Sequence, residues 1–148
     1  MKEQITYDIF DKVDIRVGTV ISVKKNEKAR KPSLVIKVDF GQEIGIKQSS
    51  AQITHYYNEE NLIGKQVIGV CNFPEKNIAG IKSQALILGS IDKEGKVTLV
   101  HPSQKAENGL KPLKSVSFET SQLDSFSIKS APEENPLPVP VIIRTFIS

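Results

Sequence analysis

The segment DFGQEIGIKQSSAQIT, residues 39–54, decides the fold prediction because it ends one strand and leads into two further elements. The residues before and into it, 34–40, alternate between apolar and polar side chains, which predicts a half-buried strand. Its predicted inward side chains are Leu34, Ile36, Val38 and Phe40. After Gly41, residues 43–47 predict a second strand, with Ile44 and Ile46 inward and Glu43 and Lys47 outward. Ser49 and Gln52 have capping-box spacing and predict a short helix to about Tyr57.

The rest of the first 112 residues contains further strand patterns and one helix signal. Residues 13–23 predict a strand with Ile15, Val17, Ile21 and Val23 on one face and Asp14, Arg16 and Ser22 on the other. Strands are also predicted at 66–73, 84–88 and 97–100, the last after a hairpin turn at 92–96. Thr6 is the predicted N-cap of a helix at 7–11. Three strands, a short helix and two strands predict an all-β OB-fold, a five-stranded β-barrel with short flanking helices.

Composition divides the chain near Pro112. Residues 1–112 hold 17 Lys and Arg against 13 Asp and Glu, so the predicted domain is mildly basic, within a net charge of +3 for the whole chain. Residues 113–148 are rich in Ser and Pro, and a Pro-x-Pro-x-Pro run at 136–140 disfavours a regular sheet. We predict a poorly ordered tail there.

Several functional classes are disfavoured by the sequence. The single cysteine, Cys71, lies in an apolar run, which predicts a buried, inert thiol and a reducing compartment, so the cytoplasm is expected. We find no apolar stretch of membrane-spanning length and expect no membrane insertion. His55 and His101 have no partners at metal-ligand spacing, and hydrolase and phosphate-loop motifs are missing, so neither an enzyme nor a metal or cofactor is expected.

Three segments resemble a known family and fall in its order along residues 10–111. They are KVDIRVGTV at 12–20, the segment 39–54, and NFPEKNIAGIKSQALIL at 72–88. Together they resemble the small tRNA-binding-domain proteins, in particular the free-standing bacterial CsaA-type export chaperones. The resemblance implies an OB-fold, a dimer and a binding module without catalysis. Synthetase-linked members continue the serine at the Ser83 position with Gly-Met, whereas this chain has Gln84 and Ala85, which favours the chaperone branch.

The predicted ligand site lies where OB-folds bind, on the strand 2–3 face and in the 1–2 and 4–5 loops. Basic residues cluster in both loops and on the predicted outward faces, which is the pattern of phosphate contacts. The basic candidates are Arg16, Lys28, Arg30, Lys31, Lys37, Lys47, Lys76 and Lys82. The polar candidates are Gln48, Ser49, Asn72 and Ser83.

Some of these candidates have equally good structural interpretations. Ser49 could serve only as a helix cap, and Asn72 could orient a loop instead of contacting a ligand. No aromatic residue falls on the predicted outward face of the first three strands, which disfavours base stacking on that face. Shape-and-phosphate recognition of structured RNA and capture of extended polypeptide both remain open.

We therefore predict a non-catalytic CsaA-like chaperone that binds tRNA or other structured RNA, unfolded or exported polypeptides, or both, as a homodimer. The predicted dimer contacts are apolar residues of the N-terminal helix region: Ile5, Tyr7, Ile9 and Phe10. One alternative is a dedicated tRNA-binding module that acts in trans with an aminoacyl-tRNA synthetase. Another is a structural adaptor that uses the proline-rich tail.

Overall fold

A computed structural model describes residues 1–112 and shows a mainly β domain. The prediction of a poorly ordered tail concerns residues 113–148, which lie outside the described residues. The helices of the described part are α1 (Tyr7–Asp11), α2 (Gly41–Ile44) and α3 (Glu59–Leu62). Its strands are β1 (Ile15–Lys25), β2 (Leu34–Asp39), β3 (Ile46–Ala51), β4 (Gln66–Val70), β5 (Lys76–Ile78), β6 (Ile81–Ser83), β7 (Leu86–Ile87), β8 (Gly89–Ile91) and β9 (Val97–Leu99).

The central sheet is antiparallel and curls into a nearly closed barrel. Its strand order is β3-β2-β1-β4-β7. The two edges approach each other where the Gln84 N–H donates to the Gln48 carbonyl at 2.7 Å, just before β7. The hairpins β5–β6 and β8–β9 project from this sheet as separate two-stranded ribbons. The predicted five-stranded OB-fold barrel with short helices is confirmed.

The main core fills the inside of the barrel. The alternation predicted for β2 is confirmed, because Leu34, Ile36, Val38 and Phe40 are all at most 2% exposed. Gly18 allows this packing, since a Cβ there would lie 2.5 Å from Val38 Cγ1. The other main-core residues are Val20, Val23, Ile53, Leu62, Val67, Ala85 and Leu99.

A β-bulge at Ile21 changes the face of the sheet to which the later side chains of β1 point. Val20 pairs with Val38, but Ser22 already pairs with Lys37, so β1 has one residue more than β2 between these pairs. An extra residue shifts every later side chain to the opposite face. Val20 and Val23 therefore both point inward, while Ile21 is 44% exposed. The predicted inward position of Ile21 is wrong.

The first half of β1 is covered on both faces. Ile15 and Val17, predicted to face the barrel interior, instead join Ile68 and Val70 in a second apolar cluster. That cluster packs against Val13, Leu88, Val100 and Ala106. Arg16 is consequently on the barrel side, opposite Gly69 in β4, and is only 4% exposed. Its predicted outward position is wrong.

The region after β2 also departs from the prediction. Residues 43–45 are not part of a strand: Gly41–Ile44 form the one-turn helix α2, and Gly41 and Gly45 have positive φ angles of 86° and 79°. The strand β3 begins only at Ile46. This turn delays β3 and inverts its facing, so Lys47 pairs with inward-facing Val38 while Ile46 is 57% exposed. The predicted outward Lys47 and inward Ile46 are therefore both wrong.

The capping box belongs to a different segment from the one predicted. Ser49 is buried within β3 and caps no helix, so the predicted helix from Ser49 to Tyr57 is wrong. Asn58 caps α3 instead: its Oδ1 accepts from Asn61 N at 2.9 Å, and Asn61 Oδ1 accepts from Asn58 N at 2.8 Å. The reciprocal pair satisfies two donors at the helix start.

Two local predictions are confirmed, and some predicted strands are longer than the strands observed. Helix α1 matches the predicted bounds, and Thr6 caps it by accepting from Ile9 N at 3.4 Å. The turn at 92–96 joins β8 to β9, with Asp92 Oδ1 accepting from Lys96 N at 2.9 Å. The strands β4 and β7 are shorter than predicted. Phe73, the last residue of the strand predicted at 66–73, lies beyond the end of β4 and is 51% exposed.

Candidate nucleic-acid interface

The loop between β1 and β2, residues 26–33, is closed by its own backbone and carries exposed cations. Asn26 N donates to Ser33 O at 2.9 Å, and Asn26 Oδ1 accepts from Lys28 N at 3.2 Å. These bonds leave the side chains of Lys28, Arg30 and Lys31 in solvent. Three cations on one tight loop can contact neighbouring phosphates of one nucleic-acid strand.

The outer face of the barrel continues this positive surface. Antiparallel pairing aligns Ser22, Lys37 and Gln48 across β1, β2 and β3, and it aligns Lys24, Val35 and Ser50 in the next row. Directly paired residues of a sheet share one face. Lys24 and Lys37 are exposed on that face, next to the loop. Lys24 was not among the predicted site residues, although its basic loop neighbourhood was evident from the sequence.

The β5–β6 hairpin brings the second predicted loop to the first. Its two-residue turn, Ala79–Gly80, has positive φ at both positions, as a type I′ turn requires. A Cβ built on Gly80 would lie 3.5 Å from Lys28 Cδ, so the two loops are in contact. The hairpin base is fixed to β3, because Gln48 Nε2 donates to Lys82 O at 3.2 Å.

We call the surface that these elements form the basic face. It consists of Lys24, Lys28, Arg30, Lys31, Lys37 and Lys82 with the polar residues Ser22 and Gln48. Lys76 lies on the other side of its hairpin from Lys82, because Asn77 is the residue paired with Lys82. Ser83 accepts from Ser50 N at 3.4 Å and helps to hold the hairpin on β3.

Arg16 has a structural environment instead of a place on the basic face. Its guanidinium contacts the Asp14 carboxylate at 2.5 Å, Glu43 Oε2 at 3.0 Å and the Gly109 carbonyl at 3.0 Å. The hydrogen bonds from Arg16 hold the pKa of Glu43 below its ordinary value. The side chain thus ties β1 to α2 and to the segment 106–110, which is hydrogen-bonded to β1 at Val17.

Three other predicted candidates also lie apart from the basic face. Ser49 is 3% exposed, on the inner side of β3. Lys47 faces the same side as Val38, near Cys71. Burial has the largest effect on the pKa of the Cys71 thiol and raises it, while the positive charge of Lys47 lowers it slightly. Asn72 accepts from Asp14 N at 2.9 Å and donates to Lys12 O at 2.7 Å. These two bonds make Asn72 the orienting residue of the connection between α1 and β1.

The basic face offers charge and polar groups without aromatic platforms. The strands β1, β2 and β3 contain no aromatic residue. Stacking of bases on the sheet, the usual mode of single-strand readers, is therefore unavailable there. Phosphate contacts remain, and these follow the shape of a folded nucleic acid.

Helix α1 forms a separate apolar surface. It has no buried residue, and Ile5, Tyr7 and Ile9 before and within it are 62%, 51% and 51% exposed. Phe10, the fourth predicted dimer residue, is 37% exposed. Exposed apolar groups gathered on one element mark interaction surfaces.

Within residues 1–112, neither the cysteine nor the residue types that bind metals form a chemical centre. Burial raises the pKa of the half-buried Cys71 thiol to about 11, so the thiol is poorly nucleophilic at neutral pH. Residues 1–112 hold no group of three or more His, Cys, Asp or Glu able to bind a metal. Among them, no helix has the length and apolar character needed to span a membrane.

Comparisons with known proteins agree with the fold. Residues 15–111 match the family described as "Putative tRNA binding domain". The solved chaperone CsaA of Bacillus anthracis is 44% identical, with a TM-score of 0.70 over 74% of this chain and 98% of the other. The CsaA chaperone of Picrophilus torridus is 46% identical, with a TM-score of 0.68 over 73% and 98%. The methionine–tRNA ligase of Flavobacterium johnsoniae is 37% identical over 73% of this chain, which spans 15% of that ligase.

Proposed function

Because this chain belongs to the tRNA-binding-domain family, we propose that it is a non-catalytic protein that binds structured RNA of the tRNA class through its basic face. The contact between the two loops carries this proposal. Lys28 lies against Gly80, in the turn of the hairpin that carries Lys82, so cations far apart in the sequence lie near one another. The proposal places the protein in the cytoplasm, where a chain with one cysteine remains reduced.

Binding at this face would work through the RNA backbone. The loop cations and Lys37 lie at the surface, where they can approach phosphates without breaking any internal ion pair of the described residues. Each phosphate contact releases counterions, so affinity falls as salt rises. The absence of aromatic residues from β1–β3 favours a ligand whose phosphates are already arranged by its fold.

A second candidate function is capture of unfolded or exported polypeptides. It is supported by the likeness to CsaA chaperones, which extends over nearly the whole of those solved chains. Extended polypeptide would gain mainly from apolar burial and backbone hydrogen bonds, which salt screens little. A third candidate, a module that delivers tRNA to a synthetase in trans, is supported by the ligase relatives.

The proposal includes a homodimer built on α1. Ile5, Tyr7 and Ile9 expose large apolar side chains that a second copy could cover. Two basic faces in one dimer would engage one large RNA together and raise its avidity. Light scattering of the full chain and of a variant with Ile5, Tyr7 and Ile9 changed to Ser tests this part. Dimer for the first and monomer for the second is expected; equal masses would contradict it.

The salt dependence of RNA binding tests the basic face directly. The triple variant Lys28→Gln/Arg30→Gln/Lys31→Gln removes three exposed cations without touching the core. Each lost phosphate contact should lower the slope of log affinity against log salt by about 0.7–0.9. Filter binding of unfractionated tRNA across a salt series measures that slope.

A matched control neutralises the same number of exposed cations elsewhere. The variant Lys2→Gln/Lys93→Gln/Lys105→Gln changes the net charge equally but leaves the basic face intact. Loss of slope in the loop variant alone supports the proposal. Equal loss in both variants would mean that only net charge matters, and an unchanged slope in the loop variant would refute binding at this loop. Binding of reduced, carboxymethylated α-lactalbumin, measured with both variants, distinguishes polypeptide capture from RNA binding at this loop.

A further inference from the structure

A cleft opens beside the basic face, at the end of the barrel where the loop 26–33 joins β1 and β2. It has a volume of about 510 Å³ and lies between that loop and the segment 54–59. Small-molecule sites have volumes of about 300–1,000 Å³. The apolar part of its lining comes from Val23, Pro32, Leu34 and the ring of Tyr57. The cleft is therefore large enough for a flat, ring-sized group.

Two residues that line this cleft each carry a buried polar atom without a hydrogen-bond partner in residues 1–112. The atoms are Asn26 Nδ2 and Ser33 Oγ, on residues that are 8% and 4% exposed. The orientation of the Asn26 amide follows from its Oδ1, which accepts from Lys28 N. An unsatisfied buried polar group destabilises the fold, and alanine at position 33 would avoid that cost. Groups that weaken a fold in this way are characteristic of binding sites.

The charges around the cleft favour a neutral polar occupant. Lys24 and Lys25 line it together with Glu27 and Glu59, so its lining carries two charges of each sign. The surplus cations, Lys28, Arg30 and Lys31, belong to the adjoining loop. A neutral polar ring attached to an anionic backbone would complement this arrangement, with the ring in the cleft and the backbone beside the loop cations. That description fits one nucleotide of an RNA.

We propose that the cleft receives an unpaired base of a structured RNA while the loop cations hold the flanking phosphates. The Asn26 amide would donate to an acceptor on the base edge, and the Ser33 hydroxyl would make a second hydrogen bond. Tyr57 lines the cleft and is fixed because its OH accepts from Leu99 N at 2.9 Å. Both orphaned atoms are covered in the free protein, so binding includes a rotamer change of the kind common at interfaces. This inference rests on the proposed function.

The test compares a stem–loop RNA with a fully paired duplex RNA of equal length, using the full chain. The variant Ser33→Ala removes a hydroxyl that has no partner among the described residues, so its thermal stability should equal or exceed that of the wild type. Its affinity for the stem–loop should fall about twofold to tenfold, the effect of one hydrogen bond, with duplex binding unchanged. The variant Asn26→Asp keeps the oxygen that accepts from Lys28 N and removes the amide that would donate to the base. Its loss of affinity for the stem–loop should persist at high salt.

The outcomes separate this inference from the proposed function. Thiouridine in the RNA loop should crosslink to residues 54–59 or 24–34. Equal stem–loop affinity of wild type and Ser33→Ala, crosslinks confined to other segments, or equal loss for both RNAs would overturn the cleft assignment and leave RNA binding intact. Failure of the wild type to bind either RNA would remove both proposals. A Ser33→Ala defect confined to carboxymethylated α-lactalbumin would assign the cleft to polypeptide instead, against the proposal.

Discussion

Replacing Arg16 with leucine should destabilise the domain strongly and affect RNA binding only through folding. The guanidinium is 4% exposed and makes four hydrogen bonds, two of them to Asp14, whose side chain is 28% exposed. Glu43 is 73% exposed, so its ion pair with Arg16 is largely screened by solvent and contributes little. The perturbation therefore acts mainly through Asp14 and the Gly109 carbonyl.

The magnitude follows from these two partners. Hydrogen bonds to a charged group contribute about 1.5–3 kcal/mol, and loss of the donor to the carbonyl of half-buried Gly109 adds about 0.5–1.5 kcal/mol. The leucine regains part of this by burying apolar surface. We expect the free energy of unfolding to fall by about 2–5 kcal/mol, a large share of the roughly 5–15 kcal/mol typical of a domain.

Urea unfolding followed by circular dichroism measures this loss. The matched control is Lys37→Leu, an exposed cation whose removal should change stability by no more than about 0.5 kcal/mol while weakening RNA binding. The reasoning would be refuted if Arg16→Leu cost less than about 1 kcal/mol and the folded variant bound RNA as poorly as Lys37→Leu. Arg16 would then be a ligand contact, as the sequence first suggested.

Two smaller substitutions, one thiol reactivity and one pH effect follow from the same structure. Gly18→Ala places a Cβ 2.5 Å from Val38 Cγ1 and should cost about 1–3 kcal/mol of unfolding free energy by overpacking; a neutral result would show a looser core. Ala79→Asn should stabilise by about 0.5–1 kcal/mol in thermal unfolding because Ala79 has a φ of 49°, and destabilisation would contradict the strained turn. Cys71, with its pKa raised to about 11 from 9.0, should react with iodoacetamide at pH 8 about tenfold more slowly than an ordinary thiol, because its smaller thiolate fraction outweighs the greater nucleophilicity of the more basic thiolate; an equal rate would refute its burial. Because Arg16 lowers the pKa of Glu43 below its ordinary 4.5, this carboxylate adds a little stability above pH 4.5, which is lost as the pH falls through the pKa of the folded protein. In urea titrations at decreasing pH, Glu43→Gln should therefore lose less unfolding free energy than the wild type. An equal loss in both proteins would speak against that ion pair.

Elements that depend on local sequence were predictable. Buried positions alternate with more exposed ones along β2, and the buried side faces one core. The N-cap Thr6 and the turn at Asp92 act within a few residues of themselves. Fold class followed because the order of these elements matches one small barrel.

The errors arose where distant contacts override local pattern. The run from Ile15 to Val23 has apolar residues on both faces, so no alternation reveals the bulge at Ile21 or the second cluster behind Val17. The burial of Arg16 depends on Glu43 and Gly109, 27 and 93 residues away. The basic loop was predictable from composition, whereas its contact with Gly80 follows only from the three-dimensional fold.

The crossing of residues 106–110 over the first half of β1 bears on the order in which the domain folds during synthesis. Val17 N donates to Leu110 O at 2.9 Å, and Gly109 N donates to Val17 O at 2.8 Å, so β1 completes its hydrogen bonding only with residues made more than 90 positions later. Until these residues leave the ribosome, Ile15 and Val17 lack part of their cover. Contacts this far apart in sequence slow folding. The nascent chain therefore carries an incompletely covered apolar strand until the last residues of the domain are made, a period in which it is exposed to aggregation.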